Sequence, residues 1–156
     1  MAQWSKGEIE RAFHQMLAVV DNCGVAVDWN PYVDLFTEDA EYHDDVFPPR
    51  IGREAIRKWL TGIFATYPQN HMRHFPCPWY IIDEDRGWLV CEFLNRMVDP
   101  GDGRIYEAKN YTLYKYAGNN MWSFEEDQYN PAALATMLKD WMKVKDGSNN
   151  GSTIFD

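Results

Sequence analysis

The second half of the chain is a series of strand-like segments separated by turn sequences, and this order restricts the fold more than any other feature. The segments lie at about 74–82, 88–98, 104–116 and 121–129. The turns between them are Asp85-Arg-Gly87, Asp99-Pro-Gly-Asp-Gly103 and Gly118-Asn-Asn120. Short turns join antiparallel neighbours. We therefore predict a meander of long antiparallel strands.

The first half alternates helices with a single strand. Ser5 and Glu8 form a capping box ahead of a helical apolar repeat, which we expect to end at Asn22-Cys-Gly24. Asn30-Pro31 begins a short second helix, because proline suits the first helical position. A strand follows at about Ala40–Asp45, and a third helix comes after it.

A last helix begins at Asn130-Pro131, so the chain is of the α+β class. We expect a cone-shaped, curved antiparallel sheet wrapped on three to four helices. Residues 1–146 form a single domain in this interpretation, and the Gly/Ser/Asn-rich residues 147–156 form a disordered tail. The concave apolar interior of such a sheet is the place to look for a small-molecule site.

Composition and charge exclude several functions. A net charge of -9, without a local Lys/Arg run, argues against nucleic acid as a partner. No apolar stretch is long enough for a membrane span. Three cysteines without CxxC spacing favour a reducing, cytoplasmic setting. Because metal-ligand spacings and nucleotide motifs are also missing from the sequence, we expect no metal and no cofactor.

The segment around Tyr42 and Asp44 is the strongest candidate for chemistry. Two residues apart on a strand, these side chains point the same way. If that direction is inward, the apolar surroundings raise the pKa of Asp44 toward neutrality, as a general base requires. The alternative is that Glu41, Asp44 and Asp45 form a solvated strand end.

Three motifs resemble the nuclear-transport-factor-2-like superfamily, specifically its SnoaL-like branch of cyclases, dehydratases, isomerases and epoxide hydrolases. The motifs are Phe36-Thr-Glu-Asp-Ala-Glu-Tyr42, Gly52-Arg-Glu-Ala-Ile56 and Trp122-Ser-Phe-Glu-Glu-Asp127-Gln-Tyr-Asn-Pro131. The resemblance covers about residues 8–142. It implies the cone-shaped fold and a homodimer, but the same cone carries both enzymes and plain binding modules.

The resemblance also suggests roles for individual residues. Asp44 falls where ketosteroid isomerases carry their catalytic base. Arg73-His74-Phe75 is similar to the strand of scytalone dehydratase that carries its histidine, which implies a proton-shuttling role for His74. Asn110 matches the substrate-binding asparagine of that dehydratase. The alternative for His74 is a hydrogen-bonded core residue, and for Asn110 a bond to a neighbouring strand.

Asp127 matches one of the two aspartates of limonene epoxide hydrolase. Where that hydrolase has an Arg-x-Asp pair, this chain has Phe93-Leu-Asn95, so the resemblance does not extend to the hydrolase mechanism. We expect Asn95 and Asp127 to be polar substrate contacts, with a structural hydrogen bond as the alternative for each. The aromatic residues Trp59, Phe64 and Phe93 are assigned to substrate binding, with core packing as their alternative.

These observations favour a cofactor-independent lyase, such as a dehydratase, or an isomerase that acts on a hydrophobic aromatic or polycyclic small molecule. In this hypothesis Asp44 removes a proton, His74 and Tyr42 assist the leaving group or stabilise an oxyanion, and Asn110 orients a substrate oxygen. The alternative is a non-catalytic small-ligand-binding or dimeric scaffold module of the same fold.

Overall fold

A computed structural model describes residues 1–150, the last three by their backbone alone. The helices are α1 (Lys6–Ala26), α2 (Asn30–Val33), α3 (Arg53–Phe64) and α4 (Pro131–Asn150). The strands are β1 (Phe36–His43), β2 (Arg50–Ile51), β3 (Met72–His74), β4 (Trp79–Asp83), β5 (Trp88–Met97), β6 (Glu107–Gly118) and β7 (Met121–Tyr129), and a 3₁₀ turn spans Gln69–His71. The α+β class is confirmed.

The strands form one curved sheet in the order β2-β1-β7-β6-β5-β3, with β4 also paired to β5. The predicted meander is present as β4–β5–β6–β7, in which every pair is antiparallel. β1 pairs with β7 in parallel, so the sheet is mixed rather than antiparallel throughout. Two strands can lie parallel only when a long connection returns the chain, and here α3 and the whole meander separate them.

The predicted strand at about 74–82 is in fact two strands. Phe75-Pro76-Cys77-Pro78 lies between β3 and β4 and belongs to neither. Proline has no backbone N–H to donate to a sheet ladder, which explains the interruption.

Helix α1 begins where the capping box predicts, with the Glu8 amide donating to Ser5 Oγ at 3.2 Å. It continues past Gly24, where we expected it to stop. A Cβ at position 24 would lie 2.0 Å from the Arg73 carbonyl oxygen, so Gly24 allows α1 to approach β3 closely. Val27, in the left-handed conformation at φ 55°, ends the helix instead.

Two buried clusters hold the helices on the concave face of the sheet. The larger joins α1, α2 and α3 to β1, β5, β6 and β7. The smaller lies under α4, where Trp141 is fully buried and its Nε1 donates to the Val98 carbonyl at 2.7 Å. α4 reaches Asn150, into the segment for which we expected a disordered tail; residues 151–156 lie outside the described residues.

Candidate active site

A cavity of about 430 Å³ lies between the helices and the concave face of the sheet. Its volume falls in the range of small-molecule sites. The helical wall is apolar, with Trp59, Leu60, Ile63 and Phe64 of α3 as its largest part. The wall formed by β6 and β7 carries Asn110, Glu125 and Asp127. One apolar and one polar wall therefore face each other across the cavity.

Two carboxyl groups of β7 reach the polar wall. Glu125 and Asp127 are two residues apart, so strand alternation places them on the same face, while Glu126 between them lies on the other. Only 3% of Glu125 and 6% of Asp127 is exposed. Carboxyl groups that are this buried must be hydrogen-bonded or protonated.

Asp127 is held by three donors from two neighbouring strands. Its Oδ1 accepts from Thr112 Oγ1 at 2.7 Å and from Asn110 Nδ2 at 3.0 Å, and its Oδ2 accepts from the Tyr42 hydroxyl at 2.5 Å. Thr112 is the direct cross-strand partner of Asp127 in the β6–β7 pairing. The register of the sheet therefore brings these donors to the carboxylate.

Glu125 has tyrosine partners. The Tyr32 hydroxyl lies 2.5 Å from Oε2, and the Tyr114 hydroxyl lies 3.2 Å from Oε1. These two hydroxyls are themselves 2.9 Å apart. Tyr114 is the cross-strand partner of Glu125, whereas Tyr32 comes from α2. Glu125 thus sits at the centre of a buried cluster that joins the sheet to a helix.

Burial raises the pKa of both carboxyl groups. For Glu125 desolvation is the main cause and the charge of Asp127 adds to it, so its pKa lies well above the usual range. The pKa of Asp127 is also raised by desolvation, with a smaller upward contribution from Asp44, but Tyr42, Thr112 and Asn110 act in the opposite direction. Hydrogen bonds to a carboxylate favour its charged form. The arrangement favours a neutral Glu125 beside an ionisable Asp127.

Asp44 lies at the edge of the same cavity, one residue beyond β1. Its Oδ1 accepts from the backbone amides of Val46 and Phe47 at 2.8 and 3.2 Å, and from the Tyr129 hydroxyl at 3.0 Å. Desolvation and the nearby Asp44 carboxylate raise the pKa of Tyr129. Asp44, Asp127 and Glu125 therefore form a series of carboxyl groups along the polar wall, from the half-buried edge to the buried floor.

Three residues of the cavity wall carry buried polar atoms that lack hydrogen bonds. Trp59 Nε1, Asn95 Oδ1 and Asn110 Oδ1 are buried and have no partner among the described residues. Asn110 uses its amide nitrogen on Asp127, which leaves its oxygen as the free acceptor. Unpaired buried polar atoms are rare in native proteins.

All but one of the residues predicted from the sequence for the site line the cavity. They are Tyr42, Asp44, Trp59, Phe64, Phe93, Asn95, Asn110 and Asp127. Their roles in catalysis or binding stay predictions. Tyr42 lies on β1 and Asp44 one residue beyond its end, and both line the cavity.

The sequence hypothesis requires His74 to reach the same cavity as Tyr42 and Asp44, and the structure contradicts this. His74 is exposed and does not line the cavity, whereas Phe75 does. The β3–β5 register shifts between Met72 and His74, so that His74 pairs with Arg96 rather than with the inward-facing Asn95. Such a bulge reverses the side-chain alternation beyond it.

Sequence reasoning missed Glu125, Tyr32 and Tyr114. A signal for Glu125 was present, because the spacing that links Tyr42 to Asp44 also links Glu125 to Asp127 within one predicted strand. Tyr114 lies two residues after Thr112 on the neighbouring strand β6, so side-chain alternation places both on the same face. Tyr32 carries no such signal, because only the packing of α2 on the sheet brings it to Glu125.

Among the described residues, no group of three or more His, Cys, Asp or Glu side chains is arranged to hold a metal ion. None of the described helices combines the length and apolar character that a membrane crossing requires.

The family model of the SnoaL-like domain matches residues 11–129, which contain most of the cavity wall. No curated protein sequence matches the chain. The sequence-based resemblance to this branch of the superfamily is confirmed.

Solved structures of the same fold include several described as enzymes. A putative isomerase from Bacillus subtilis has a TM-score of 0.67 at 15% identity, over 84% of this chain and 95% of that one. An M. tuberculosis LEH-like epoxide hydrolase has a TM-score of 0.66 at 11% identity, over 91% and 97%. SalBIII, an epoxide hydrolase/cyclase-like enzyme of pyran ring formation in salinomycin, has a TM-score of 0.63 at 12% identity, over 83% and 95%. At such identities these similarities establish the fold alone.

Proposed function

We propose that this chain, which belongs to the SnoaL-like family, is a cofactor-independent acid/base enzyme of the lyase or isomerase type. Its substrate is a small, largely apolar molecule held between the two walls of the cavity. The observation that carries the proposal is the carboxyl pair Glu125 and Asp127, buried side by side with unequal partners. Titratable groups whose surroundings separate their pKa values are suited to act as acid and base in one site.

In this mechanism Asp127 is the base. It removes a proton from a substrate carbon next to a carbonyl group, and the electron pair of the broken C–H bond moves onto the carbonyl oxygen. Glu125, held neutral by burial, donates a hydrogen bond or its proton to that oxygen. Return of the proton to another carbon completes an isomerisation. Loss of a hydroxyl group that takes up a proton releases water and completes an elimination.

The neighbours of Asp127 position and tune it. Thr112, Asn110 and Tyr42 fix the carboxylate against the wall and counteract the cost of burying its charge. Asp44, the base that the family resemblance implies, has its Oδ1 engaged by two backbone amides and Tyr129 at the edge of the cavity. We assign the base to Asp127 and give Asp44 the role of a nearby negative charge that supports the proton affinity of Asp127.

One observation favours a non-catalytic binding module of the same fold. Both oxygens of Asp127 and both oxygens of Glu125 already have internal partners. A polar network of this kind also occurs as a purely structural feature of a buried sheet. The two functions differ in one measurable property, which is whether the cavity accelerates proton transfer to and from a bound ligand.

Hydrogen–deuterium exchange in tetralone, a bicyclic ketone, tests this property. The protein is incubated with tetralone in D₂O, and the loss of the signal from the methylene group next to the carbonyl is followed by proton NMR. We expect wild-type protein to accelerate the exchange. Asp127→Asn removes the base and should slow exchange by about 10²- to 10⁴-fold, the usual contribution of such a group. Glu125→Gln should slow it less, because an amide still donates a hydrogen bond.

Glu126→Gln is the matched control, because Glu126 lies between the two carboxyls on the outer face of the same strand. It should exchange tetralone at the wild-type rate. Binding of tetralone is measured in parallel by calorimetry. Saturation of the cavity without any acceleration of exchange would contradict the enzyme proposal and support the binding module.

A further inference from the structure

The ionisable acids and bases on the cavity wall are all of one sign. Among the residues that line the cavity, which all belong to the described part of the chain, Asp44, Glu125 and Asp127 carry carboxyl groups, and there is no Lys, Arg or His side chain. Even with Glu125 neutral, the remaining carboxyl groups can only make the wall negative. Such a cavity attracts a positively charged ligand and repels an anion.

Aromatic rings make up much of the rest of the wall, and they favour the same charge. Ten of the lining residues are Phe, Tyr or Trp. The face of an aromatic ring is negative, so a cation within about 6 Å of the ring centroid is attracted to it, most strongly where water is excluded. A neutral apolar ligand gains from this wall by burial alone. An apolar ligand with a positive group gains from burial and from the ring faces together.

The rim of the cavity at Asp44 offers an accessible place for the positive group. Asp44, Trp59 and Tyr129 are partly exposed, and Phe47 is 44% exposed, so a ligand can reach this rim. Asp44 Oδ1 is engaged by two backbone amides and the Tyr129 hydroxyl, whereas Oδ2 accepts no hydrogen bond from any described residue. Oδ2 is therefore the carboxylate oxygen that is left for a ligand.

Three aromatic rings belong to the same rim. The Tyr129 hydroxyl lies 3.0 Å from Asp44 Oδ1, and the Phe47 backbone amide lies 3.2 Å from the same atom. The rings of Phe47 and Trp59 meet edge to face, with centroids 5.8 Å apart. The Arg50 guanidinium lies over the Trp59 ring at 5.3 Å, although Arg50 does not line the cavity. Because that cation already uses Trp59, we expect the positive group of a ligand nearest Asp44, Phe47 and Tyr129.

We propose that the substrate is a cationic amine, in which a compact apolar skeleton carries one protonated amino group that binds Asp44 at the rim while the reacting part lies deeper, toward Asp127 and Glu125. This inference rests on the proposed function in placing a substrate in the cavity, and it deepens that proposal by giving the charge and orientation of the substrate. The amino group donates a hydrogen bond to Asp44 Oδ2 and contacts the ring faces beside it. An acidic molecule of the same size is repelled by the same carboxyl groups.

Three ligands with one bicyclic skeleton test the sign of the charge. At about pH 7, 2-aminotetralin is positive, tetralin-2-ol is neutral and tetralin-2-carboxylate is negative. Calorimetry at low ionic strength should show wild-type protein binding the amine at least about tenfold more tightly than the alcohol, and the carboxylate at least about tenfold more weakly than the alcohol. Binding of the alcohol or of the carboxylate as tightly as the amine would overturn the proposal.

Asp44→Asn tests the place of the amino group, and Asp45→Asn is its matched control. Each variant removes one negative charge, but Asp45 is exposed and does not line the cavity. The amide oxygen of Asp44→Asn can still accept from the donors at the rim, so only the charge is lost. The preference for the amine over the alcohol should fall by about tenfold in Asp44→Asn and stay at the wild-type value in Asp45→Asn. An equal fall in both variants, or no fall in Asp44→Asn, would overturn the assignment.

Phe47→Leu tests the contribution of the rings. It keeps an apolar side chain at the rim and removes one ring face. The preference for the amine should fall by about two- to fivefold, the value of one partly exposed contact between a cation and a ring. If the amine and the alcohol lose affinity equally, the ring acts by packing alone, which would contradict its role in binding the positive group.

The binding assay also keeps this inference apart from the proposed function. None of the three ligands is a ketone, so their affinities are measured without any proton exchange. If the wild-type protein prefers the amine but does not accelerate exchange in tetralone, the inference about ligand charge holds and the enzyme proposal fails. If exchange is accelerated and the three ligands bind equally, the enzyme proposal holds and the inference about charge fails.

Discussion

Glu125 and Asp127 sit on the same face of one strand, two residues apart and almost equally buried, yet their surroundings differ in one respect. Asp127 accepts three hydrogen bonds from Thr112, Asn110 and Tyr42. Glu125 has the hydroxyls of Tyr32 and Tyr114, which also bond each other. Hydrogen-bond donors oppose desolvation at both groups, but at Glu125 the charge of Asp127 adds to desolvation and the pKa lies well above the usual range.

The difference shows how one sheet can hold an acid and a base side by side. Burial alone raises the pKa of any carboxyl group, and hydrogen-bond donors together with neighbouring charges then decide how much of that rise remains. The two groups also interact, so the protons of the pair come off in steps that belong to both. Changing the donors of one carboxyl should therefore have consequences that changing the donors of the other does not.

Removing donors from Asp127 should have the largest effect. In the double variant Thr112→Val/Asn110→Leu, two of its three hydrogen bonds are lost, which raises the pKa of Asp127 further. A base works only when ionised, so the acidic limb of the pH–rate profile moves to higher pH. We expect tetralone exchange at neutral pH to fall by at least about tenfold. An unchanged profile in protein that is shown by circular dichroism to be folded would contradict the donor model.

Glu125→Gln should change how stability depends on pH. The raised pKa means that folded protein keeps the Glu125 proton where the unfolded chain, with an ordinary pKa of about 4.3, has lost it. Stability from this group is therefore complete below about pH 4.3 and decreases as pH rises toward the folded-state pKa. Above about pH 4.3 the free energy of unfolding of the variant should increase relative to that of the wild type, by up to about 1.4 kcal/mol per pH unit.

Urea denaturation of the two proteins across this pH range measures the effect. The Glu126→Gln variant again serves as the control, because its carboxyl lies on the outer face. If the difference in free energy of unfolding between wild type and Glu125→Gln stays constant with pH, Glu125 ionises normally in the folded protein.

Asp44→Asn tests the weaker influence at the edge of the cavity. Removal of its negative charge lowers the pKa of Asp127, because that charge contributes to raising it. The acidic limb of the exchange profile should move to lower pH, with a decrease in maximal rate of less than about tenfold, below the usual contribution of a catalytic base. A loss as large as that of Asp127→Asn would instead make Asp44 the base.

Tyr32→Phe should have the smallest effect on rate. It removes a hydrogen-bond partner from Glu125 and leaves the partners of Asp127 in place. The Tyr32 hydrogen bond lowers the pKa of Glu125, so its loss raises that pKa further and favours the same protonated form. Exchange should stay close to the wild-type rate, with stability lower by about 1 kcal/mol in urea denaturation. A rate decrease equal to that of the Thr112/Asn110 variant would erase the distinction between the two carboxyls.

Much of the fold and part of the site were predictable from local patterns. The capping box at Ser5 predicted the start of α1, the turn sequences predicted the meander, and the spacing of Tyr42 and Asp44 indicated two residues that line the cavity. These features depend on neighbours in sequence, so local patterns contain them. The same two-residue spacing links Glu125 to Asp127, but the family resemblance directed attention to Asp127 alone.

Local sequence patterns were enough to establish the order of helices and strands, the family, and the carboxyl groups available to the cavity. Long-range packing was needed to establish that a bulge in β3 turns His74 outward, that Gly24 lets α1 approach β3, and that Tyr32 of α2 contacts Glu125. Each of these depends on a contact between segments far apart in the chain. Protonation follows from the same contacts, because desolvation and hydrogen bonding are set by what packs around a group rather than by its neighbours in sequence.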